Sequence, residues 1–275
     1  MGQVGYDISP MKTQELEQLK IWFRQYVSGF YTGGEDKYLD GHYDLKEQHT
    51  YLVCEITRRI AEQVGLNEDD VNLAEATGLL HDTGRFEQFR KYRTFKDPES
   101  ENHCLLGLRI LRDEGVLESL AADDRDIIEK AVEFHGVREL PDNLDERALL
   151  FCKLIRDADK TDIYRVLAEN FKQYYANPKV FPLEVEFADE PRYSPAVVNC
   201  LRKRETIAYD TLETLLDAKL LTLGWIFDVN FPSALEMIKQ DGHWDALMSF
   251  VPDIGDLPEI KAMMQAYIDE AIEKK

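Results

Sequence analysis

Apolar residues recur at spacings of three and four along most of this chain, which is the period of amphipathic helices. The first clear segment carries His49 on a stripe formed by Leu45, Leu52, Ile56 and Ile60. The spacing therefore predicts that His49 points into the protein interior. One inward histidine is more often a hydrogen-bonded core residue than a ligand, so this position has to be judged together with others.

Four further segments place a histidine or a carboxylate on the same kind of stripe. His81 follows Val71, Ala74 and Gly78, His103 precedes Leu106 and Ile110, His135 follows Ile128 and Val132, and Asp159 follows Ala148, Cys152 and Ile155. Buried imidazoles and carboxylates need mutual neutralisation, and a metal ion achieves this better than hydrogen bonds alone. The pattern predicts an all-α fold with a metal site in its core.

His81 and Asp82 are adjacent in the sequence, and two adjacent residues within a helix point about 100° apart. Thr83 and Gly84 follow at once and predict that the helix ends there. Where the backbone turns, both side chains can serve one metal. Imidazole beside carboxylate is a ligand set that suits divalent transition metals.

The ordered set resembles the HD superfamily of metal-dependent phosphohydrolases, whose minimal signature is a histidine, a His-Asp doublet and a distal aspartate on five helices. The stretches that carry the resemblance are "LLHDTGRFEQF", "AVEFHGV" and "LIRDADKTDIYRV". It covers about residues 40 to 175. The implied fold is an HD-domain helical core with additional C-terminal helices.

The resemblance implies that one divalent ion is held by four ligands, which are His49, His81, Asp82 and Asp159. His103 and His135 resemble the extra ligands of binuclear members, in which Asp82 would bridge two ions. The ion is one of Mn, Fe, Ni, Co, Zn or Mg. Asp157 lies two residues before Asp159 and is the alternative final ligand; Asp159 is favoured because it continues the apolar stripe.

The implied chemistry is hydrolysis of a phosphate ester by water, since a divalent ion lowers the pKa of bound water from 15.7 toward ~7. No serine lies in a G-x-S-x-G sequence, and the four cysteines show no close pairing. The predicted catalytic residues are His81, Asp82 and Arg85. Two other classes stay open: HD-fold di-iron oxygenases, which share the six-residue pattern, and a non-catalytic binding module.

A basic and aromatic segment follows the doublet, from Arg85 to Lys96, with one acid, Glu87. In a chain of net charge −20, a loop of this kind would focus an anion into the site, although it is also consistent with a solvated basic loop. Arg85 is the strongest phosphate candidate because guanidinium binds phosphate bidentately. Weaker candidates are Arg138, Arg156 and Lys160. The predicted substrate is a small phosphorylated metabolite or nucleotide.

The strongly acidic composition argues against nucleic acid as a partner, because such binding needs many clustered cations. The longest apolar run, Leu220 to Phe227, is far shorter than the ~20 residues that span a membrane. The start "MGQVGYDISP" has no signal-peptide pattern, and the cysteines look unpaired. These features predict a cytoplasmic protein with no membrane partner.

The predicted organisation has three parts. Residues 1–40 contain a helix, over 11 to 28, that packs on the core, residues 41–176 form the metal-binding core, and residues 177–275 form a C-terminal helical extension. The Gly-rich stretch from Tyr31 to Asp44 is predicted as a connection that contains His42. The proline-rich stretch from Pro178 to Pro195, with Val185 and Phe187, predicts a loop with at most a short strand. His42 and His243 are predicted to be structural.

Overall fold

The computed structural model describes residues 11–178 and 187–274, which leaves Val185 and the N-terminal motif outside the described residues. Within these ranges the protein is all-α, as predicted, and the only extended pairing is an isolated parallel bridge between Ala188 and Thr214. The helices are α1 (Thr13–Ser28), α2 (Lys37–Gln63), α3 (Glu68–Leu80), α4 (Thr83–Tyr92), α5 (His103–Asp113), α6 (Ala122–Phe134), α7 (Glu146–Ala176), α8 (Pro195–Lys203), α9 (Leu215–Gly224), α10 (Pro232–Gln240), α11 (His243–Ser249) and α12 (Leu257–Glu273). No helix of this part of the chain is long and apolar enough to cross a bilayer.

The chain divides into two compact units, Met1–Asp159 and Lys160–Lys275. The division falls inside α7, directly after the predicted ligand Asp159. All the predicted metal ligands therefore lie in the first unit. The domain limits proposed at residues 40 and 176 stay predictions.

The first unit contains α1 to α6 and the beginning of α7. The helix predicted over residues 11 to 28 is observed as α1, whose buried face is formed by Leu16, Leu19, Phe23 and Val27. Phe23 meets Phe86 of α4 edge-on at a ring-centroid distance of 5.9 Å. Fully burying side chains of this size contributes about 1.5–3 kcal/mol each. These contacts join α1 to the helix that follows the His-Asp doublet.

The second unit has its own apolar core, around Trp244, Leu220 and Met264, each of which is at most 1% exposed. The indole N–H of Trp244 donates to Gln265 Oε1 at 2.8 Å.

The segment predicted as a basic loop after the doublet is mostly helix, and that prediction is wrong. Thr83–Tyr92 forms α4, because Phe86 and Phe89 are fully buried and give the segment an apolar face. Gly84 therefore lies in the first turn of α4. As expected, α3 ends before it, at Leu80. The basic residues of the exposed face pair with acids: Arg90 and Lys91 with Glu87, and Arg93 with Asp36.

The connection predicted from Tyr31 to Asp44 is also shorter than expected, because α2 begins at Lys37. The side chain of Asp36 caps this helix by accepting from the backbone N–H of Leu39 at 3.0 Å. His42 therefore lies on a helix and not in a loop. Its ring stacks on Phe89 at 4.2 Å, in keeping with a structural role.

The predicted buried stripe of α2 is only partly right: His49 and Ile60 are buried, whereas Leu52 and Ile56 are only partly buried. Leu45 is 37% exposed, whereas Tyr43 and His49 are buried. The inward face at this level is continued by Lys46, which is only 18% exposed in its side chain. A polar residue that faces inward cannot be detected by apolar periodicity, and this explains the error.

Candidate metal centre

The doublet lies at the junction of two helices. α3 ends at Leu80, His81 occupies its C-cap, and α4 begins at Thr83. Asp82 has φ −101° and ψ 17°, outside the α-helical region, so the backbone turns at this residue. His81 is 0% exposed and Asp82 is 2% exposed. Both adjacent side chains therefore enter the same interior.

The four histidines singled out in the sequence converge in two pairs. The Nε2 atoms of His49 and His81 lie 3.4 Å apart, and those of His103 and His135 lie 3.1 Å apart. The rings of His81 and His135 are 5.0 Å apart, which brings the pairs together. All of these imidazoles are buried. Buried nitrogens that face one another are costly unless a shared cation satisfies them.

The Asp82 carboxylate lies between the two pairs and offers one oxygen to each. Its Oδ2 is 3.7 Å from Nε2 of His49 and 3.6 Å from Nε2 of His81. Its Oδ1 is 3.6 Å from Nε2 of both His103 and His135. Among the described residues, Oδ1 is buried without a hydrogen-bond partner. A bridging position between two ions would satisfy both oxygens.

Asp159 joins the first pair. Its Oδ1 lies 3.1 Å from Nε2 of His49 and 3.9 Å from Nε2 of His81. Asp157, two residues earlier on α7, points about 200° away around the helix and is fully buried. Of the two candidate aspartates, Asp159 is the one that the structure brings to the imidazoles.

Hydrogen bonds at Nδ1 determine which nitrogen of three imidazoles faces the centre. Nδ1 of His81 donates to the Gly78 carbonyl at 2.7 Å, and Nδ1 of His135 donates to the Val132 carbonyl at 2.8 Å. Nδ1 of His103 donates to Asp97 Oδ2 at 2.7 Å. Because these oxygens only accept, Nδ1 carries a proton in each of the three rings, and the neutral form of each ring presents its Nε2 lone pair to a metal.

Glycines allow the helices that carry the ligands to approach closely. A Cβ at Gly84 would lie 2.1 Å from the His103 carbonyl oxygen and 2.7 Å from the Gly107 nitrogen. A Cβ at Gly78 would lie 3.1 Å from Cα of Cys54 on α2. The first contact brings His103 next to the doublet, and the second brings α2 next to α3.

Burial and charge prepare the donors for a cation. Burial lowers the pKa of His81 to about 3, so its imidazole is neutral at pH 7. Burial alone would raise the pKa of Asp82, but Lys46 and His81 hold it well below its ordinary value. Burial would also raise the pKa of Asp159, but its hydrogen bond and charge interaction with His49, together with the charge interaction with His81, hold that pKa below its ordinary value. Neutral imidazoles and ionised carboxylates are the forms that bind metal.

Lys46 is a member of the site that the sequence analysis missed. Its Nζ lies 2.7 Å from Asp82 Oδ2, and 5.3 Å from the ring centroid of Phe95. It precedes His49 by three residues on α2, and that spacing was the available signal. Lys46 therefore neutralises and orients the carboxylate shared by the two pairs.

Arg85 lies beside the centre, and its guanidinium already has protein partners. Nη1 donates to the Phe95 carbonyl at 2.6 Å and to Asp97 Oδ1 at 3.0 Å. Nε lies 3.5 Å from Asp82 Oδ1 and has no hydrogen-bond partner among the described residues. These contacts link the shared carboxylate to the acid that orients His103. The predicted catalytic and phosphate-binding roles of Arg85 stay predictions.

The weaker phosphate candidates have different surroundings. Arg138 is exposed in the turn after α6, and Lys160 pairs with Asp228 at 2.8 Å within the second unit. Arg156 is only 4% exposed, and its guanidinium donates to the carbonyls of His135 and Val137. Arg156 therefore has a structural role instead of the predicted contact with a phosphate. It provides hydrogen-bond donors to backbone carbonyl groups at the end of α6.

Cys104 is a second member that the sequence analysis missed. Its buried Sγ lies 3.4 Å from Nε2 of His103 and 3.8 Å from Nε2 of His135. Burial would raise the pKa of the thiol, but the two imidazoles lower it to about 6. Two donor groups can be recognised as able to hold an ion within the described residues, one of His49, His81 and Asp82 and one of His103, Cys104 and His135.

A family model described as HD domain matches residues 47–164 of the chain. This span includes every converging histidine, the doublet and Asp159. Residues 47–164 form an HD domain. The resemblance found in the sequence is therefore confirmed, and the HD domain has the fold of metal-dependent hydrolases with candidate metal-binding residues in place. No curated protein and no solved structure matches the chain.

Proposed function

We propose that this HD-domain protein is a metal-dependent phosphohydrolase that cleaves a small phosphorylated metabolite or nucleotide, with water as the attacking group. The observation that carries the proposal is the position of Asp82, one oxygen of which faces His49 and His81 while the other faces His103 and His135. Two adjacent donor sets with a shared carboxylate are suited to two ions ~3.5–4 Å apart, as in hydrolytic two-metal sites.

The residues that would hold the ions are His49, His81, Asp82 and Asp159 on one side and His103, His135 and Asp82 on the other. Divalent ions bound there would supply Lewis acidity and lower the pKa of water toward ~7. The fit is supported by the Nδ1 hydrogen bonds that direct Nε2 of His81 and His135 toward the centre, and by Asp82 Oδ1, which has no hydrogen-bond partner among the described residues. Mn, Fe, Ni, Co, Zn and Mg are the candidate ions.

Two cations next to the centre favour an anionic substrate. Lys46 lies 2.7 Å from Asp82 Oδ2, and Arg85 Nε lies 3.5 Å from Oδ1. Each holds one end of the shared carboxylate in place, so that its oxygens stay directed at the two imidazole pairs. The unsatisfied N–H at Arg85 Nε is also available to a phosphate oxygen. We assign Arg85 a phosphate-binding role, and Arg138 and Lys160 are secondary candidates.

The experiment is a phosphatase screen on protein that has been stripped with a chelator and reloaded with each candidate ion. Phosphate release from a panel of nucleotides and sugar phosphates is expected with at least one ion, and Asp82→Ala should abolish both turnover and metal retention. His42→Ala is the matched control, because His42 lies on the same helix as His49 but stacks on Phe89 outside the centre.

The two aspartates of α7 provide a second matched pair. Asp159→Asn should lose metal, whereas Asp157→Asn should retain most of it, because Asp159 lies beside His49 and Asp157 points to a different side of α7. Metal-loaded protein that releases no phosphate from any substrate, but takes up oxygen with iron bound, would replace the proposal with a di-iron oxygenase. Full activity in metal-analysed Asp82→Ala protein would show that the assignment of the metal centre around Asp82 is wrong.

A further inference from the structure

The second imidazole pair has a sulfur atom beside it, and the first pair has none among its recognised donors. Cys104 is the second residue of α5 and directly follows His103. Its side chain is 2% exposed. The Sγ atom lies 3.4 Å from Nε2 of His103 and 3.8 Å from Nε2 of His135, the nitrogens that face Asp82.

The separations between these atoms match a tetrahedral set of ligands. With metal–nitrogen bonds of about 2.0–2.1 Å and a metal–sulfur bond of about 2.3 Å, ideal N···N and S···N separations are ~3.4 and ~3.5 Å. The observed values are 3.1 Å for the two nitrogens and 3.4 and 3.8 Å for sulfur to nitrogen. Sγ also lies 3.6 Å from Nδ1 of His135, so one ion can contact all three atoms once the Cys104 side chain or the His135 ring rotates away from that contact.

The fourth corner of the tetrahedron is already present. Asp82 Oδ1 lies 3.6 Å from Nε2 of both His103 and His135, and it is buried with no hydrogen-bond partner among the described residues. A buried carboxylate oxygen with no hydrogen-bond partner requires an explanation, and a cation between it and the two imidazoles would supply the partner. This observation is independent of the cysteine.

Gly136 provides the space that the thiol occupies. A Cβ at this position would lie 2.9 Å from Cys104 Sγ and 3.2 Å from Cε1 of His103. Any larger residue would therefore displace both donor groups. The turn after α6 is shaped around the sulfur as well as around the imidazole.

We propose that Cys104 is a thiolate ligand of the second ion, which is then held by His103, Cys104, His135 and Asp82 Oδ1. Binding forms a metal–sulfur bond and releases the thiol proton to solvent. Soft thiolate favours zinc, cobalt or ferrous iron, whereas magnesium and manganese favour oxygen ligands. The two positions of the centre consequently differ in metal preference. This inference uses the metal centre on which the proposed function rests.

The test is cobalt substitution followed by absorption spectroscopy. Chelator-stripped protein titrated with Co²⁺ should develop a near-ultraviolet thiolate-to-cobalt charge-transfer band, and Cys104→Ala and Cys104→Ser should lack it. The matched control is the triple variant Cys54→Ala/Cys152→Ala/Cys200→Ala, which leaves Cys104 as the only cysteine and should keep the band. It remains informative even where a Cys104 variant folds poorly.

Metal affinity gives a second readout. Zinc binding at the second position should weaken in Cys104→Ser by more than the ~10–100-fold that follows loss of an outer-shell partner. Manganese affinity should change much less. Equal losses for zinc and manganese would overturn the thiolate assignment.

The outcomes separate this inference from the proposed function. Wild-type protein that binds cobalt without the band, or that binds no cobalt, overturns the role of Cys104. Persistence of the band in Cys104→Ala does the same. Protein that shows the band but hydrolyses no phosphate ester supports the thiolate ligand and contradicts the hydrolase alone.

Discussion

Asp97 acts on the candidate metal centre through His103. Its Oδ2 accepts from Nδ1 of His103 at 2.7 Å, and its Oδ1 accepts from Arg85 at 3.0 Å. The pKa of Asp97 is lowered to about 2, because His103 and Arg85 outweigh the effect of its partial burial. An ionised carboxylate behind an imidazole fixes the ring and raises its basicity toward a metal.

We expect Asp97→Ala to lower the affinity for the ion held by His103 and His135 by ~10–100-fold, and to leave the affinity for the ion held by His49 almost unchanged. Asp97→Asn keeps an acceptor oxygen and should recover part of the loss. The measurement is metal stoichiometry and affinity by titration. Glu99→Ala is the matched control, since Glu99 lies in the same short turn and pairs with Lys96. Equal affinities in all variants would deny Asp97 this role.

His81 makes the stability of the metal-free protein depend on pH. Its folded pKa is about 3, below the ordinary value of 6.5, because the imidazole is fully buried. Between these values the unfolded chain binds a proton that the folded chain does not. The free energy of unfolding therefore falls as the pH drops from about 6.5 toward 3, by about 1.4 kcal/mol per pH unit at most.

We expect His81→Gln to remove the contribution of His81 to this pH dependence. As the pH is lowered from 6.5 to 4, the free energy of unfolding of the wild type should therefore fall more steeply than that of the variant. Denaturant unfolding of chelator-treated protein at several pH values measures it. Parallel pH profiles for the two proteins would mean that His81 is not held neutral in the fold.

At the scale of secondary structure, the crossing of α4 and α5 determines whether the two imidazole pairs share a carboxylate. Gly84 contacts the His103 carbonyl and the Gly107 nitrogen so closely that no side chain fits between the helices. Apolar periodicity predicted the α5 stripe, and the Thr83-Gly84 pair predicted the end of α3. It could not predict α4 correctly, because a Thr-Gly pair signals a break whether or not a new helix follows.

We expect Gly84→Ala to destabilise the protein by about 1–3 kcal/mol and to lower the metal stoichiometry, because the new methyl group collides with backbone atoms and separates His103 from Asp82. Thermal unfolding and metal analysis measure the two effects. Gly41→Ala is the control: a Cβ there meets nothing within 4 Å, so the change inside α2 should be neutral or stabilising by about 0.5–1 kcal/mol. An unaltered metal content in Gly84→Ala would show that the crossing tolerates displacement.

At the scale of the whole molecule, the centre concentrates buried ionisable groups in a first unit whose other interior residues are mostly apolar. Donors from α2, α5, α7 and the junctions after α3 and α6 converge there. A ligand that binds only the folded state stabilises it by about 2.7 kcal/mol when its concentration is a hundred times its dissociation constant. An ion at the centre should therefore stabilise the first unit by cross-linking these three helices and two junctions.

We expect metal at saturating concentration to raise the unfolding temperature of the wild-type protein measurably, and to have no comparable effect on Asp82→Ala. Calorimetry with and without each ion provides the measurement. His42→Ala should respond as the wild type does, because His42 lies outside the centre. An identical response in Asp82→Ala would place the stabilising ion elsewhere in the protein.

The sequence by itself determined the all-α class and the candidate ligands, because apolar residues with a period of 3.6 predict which face of each helix is buried. His49, His103, His135 and the doublet converge as that period implied. Only the tertiary structure decided which polar neighbours meet them. Lys46 had a local signal in its three-residue spacing from His49. Asp97 and Cys104 become part of the centre through a turn and a helix crossing, and contacts of that kind leave no mark on local periodicity.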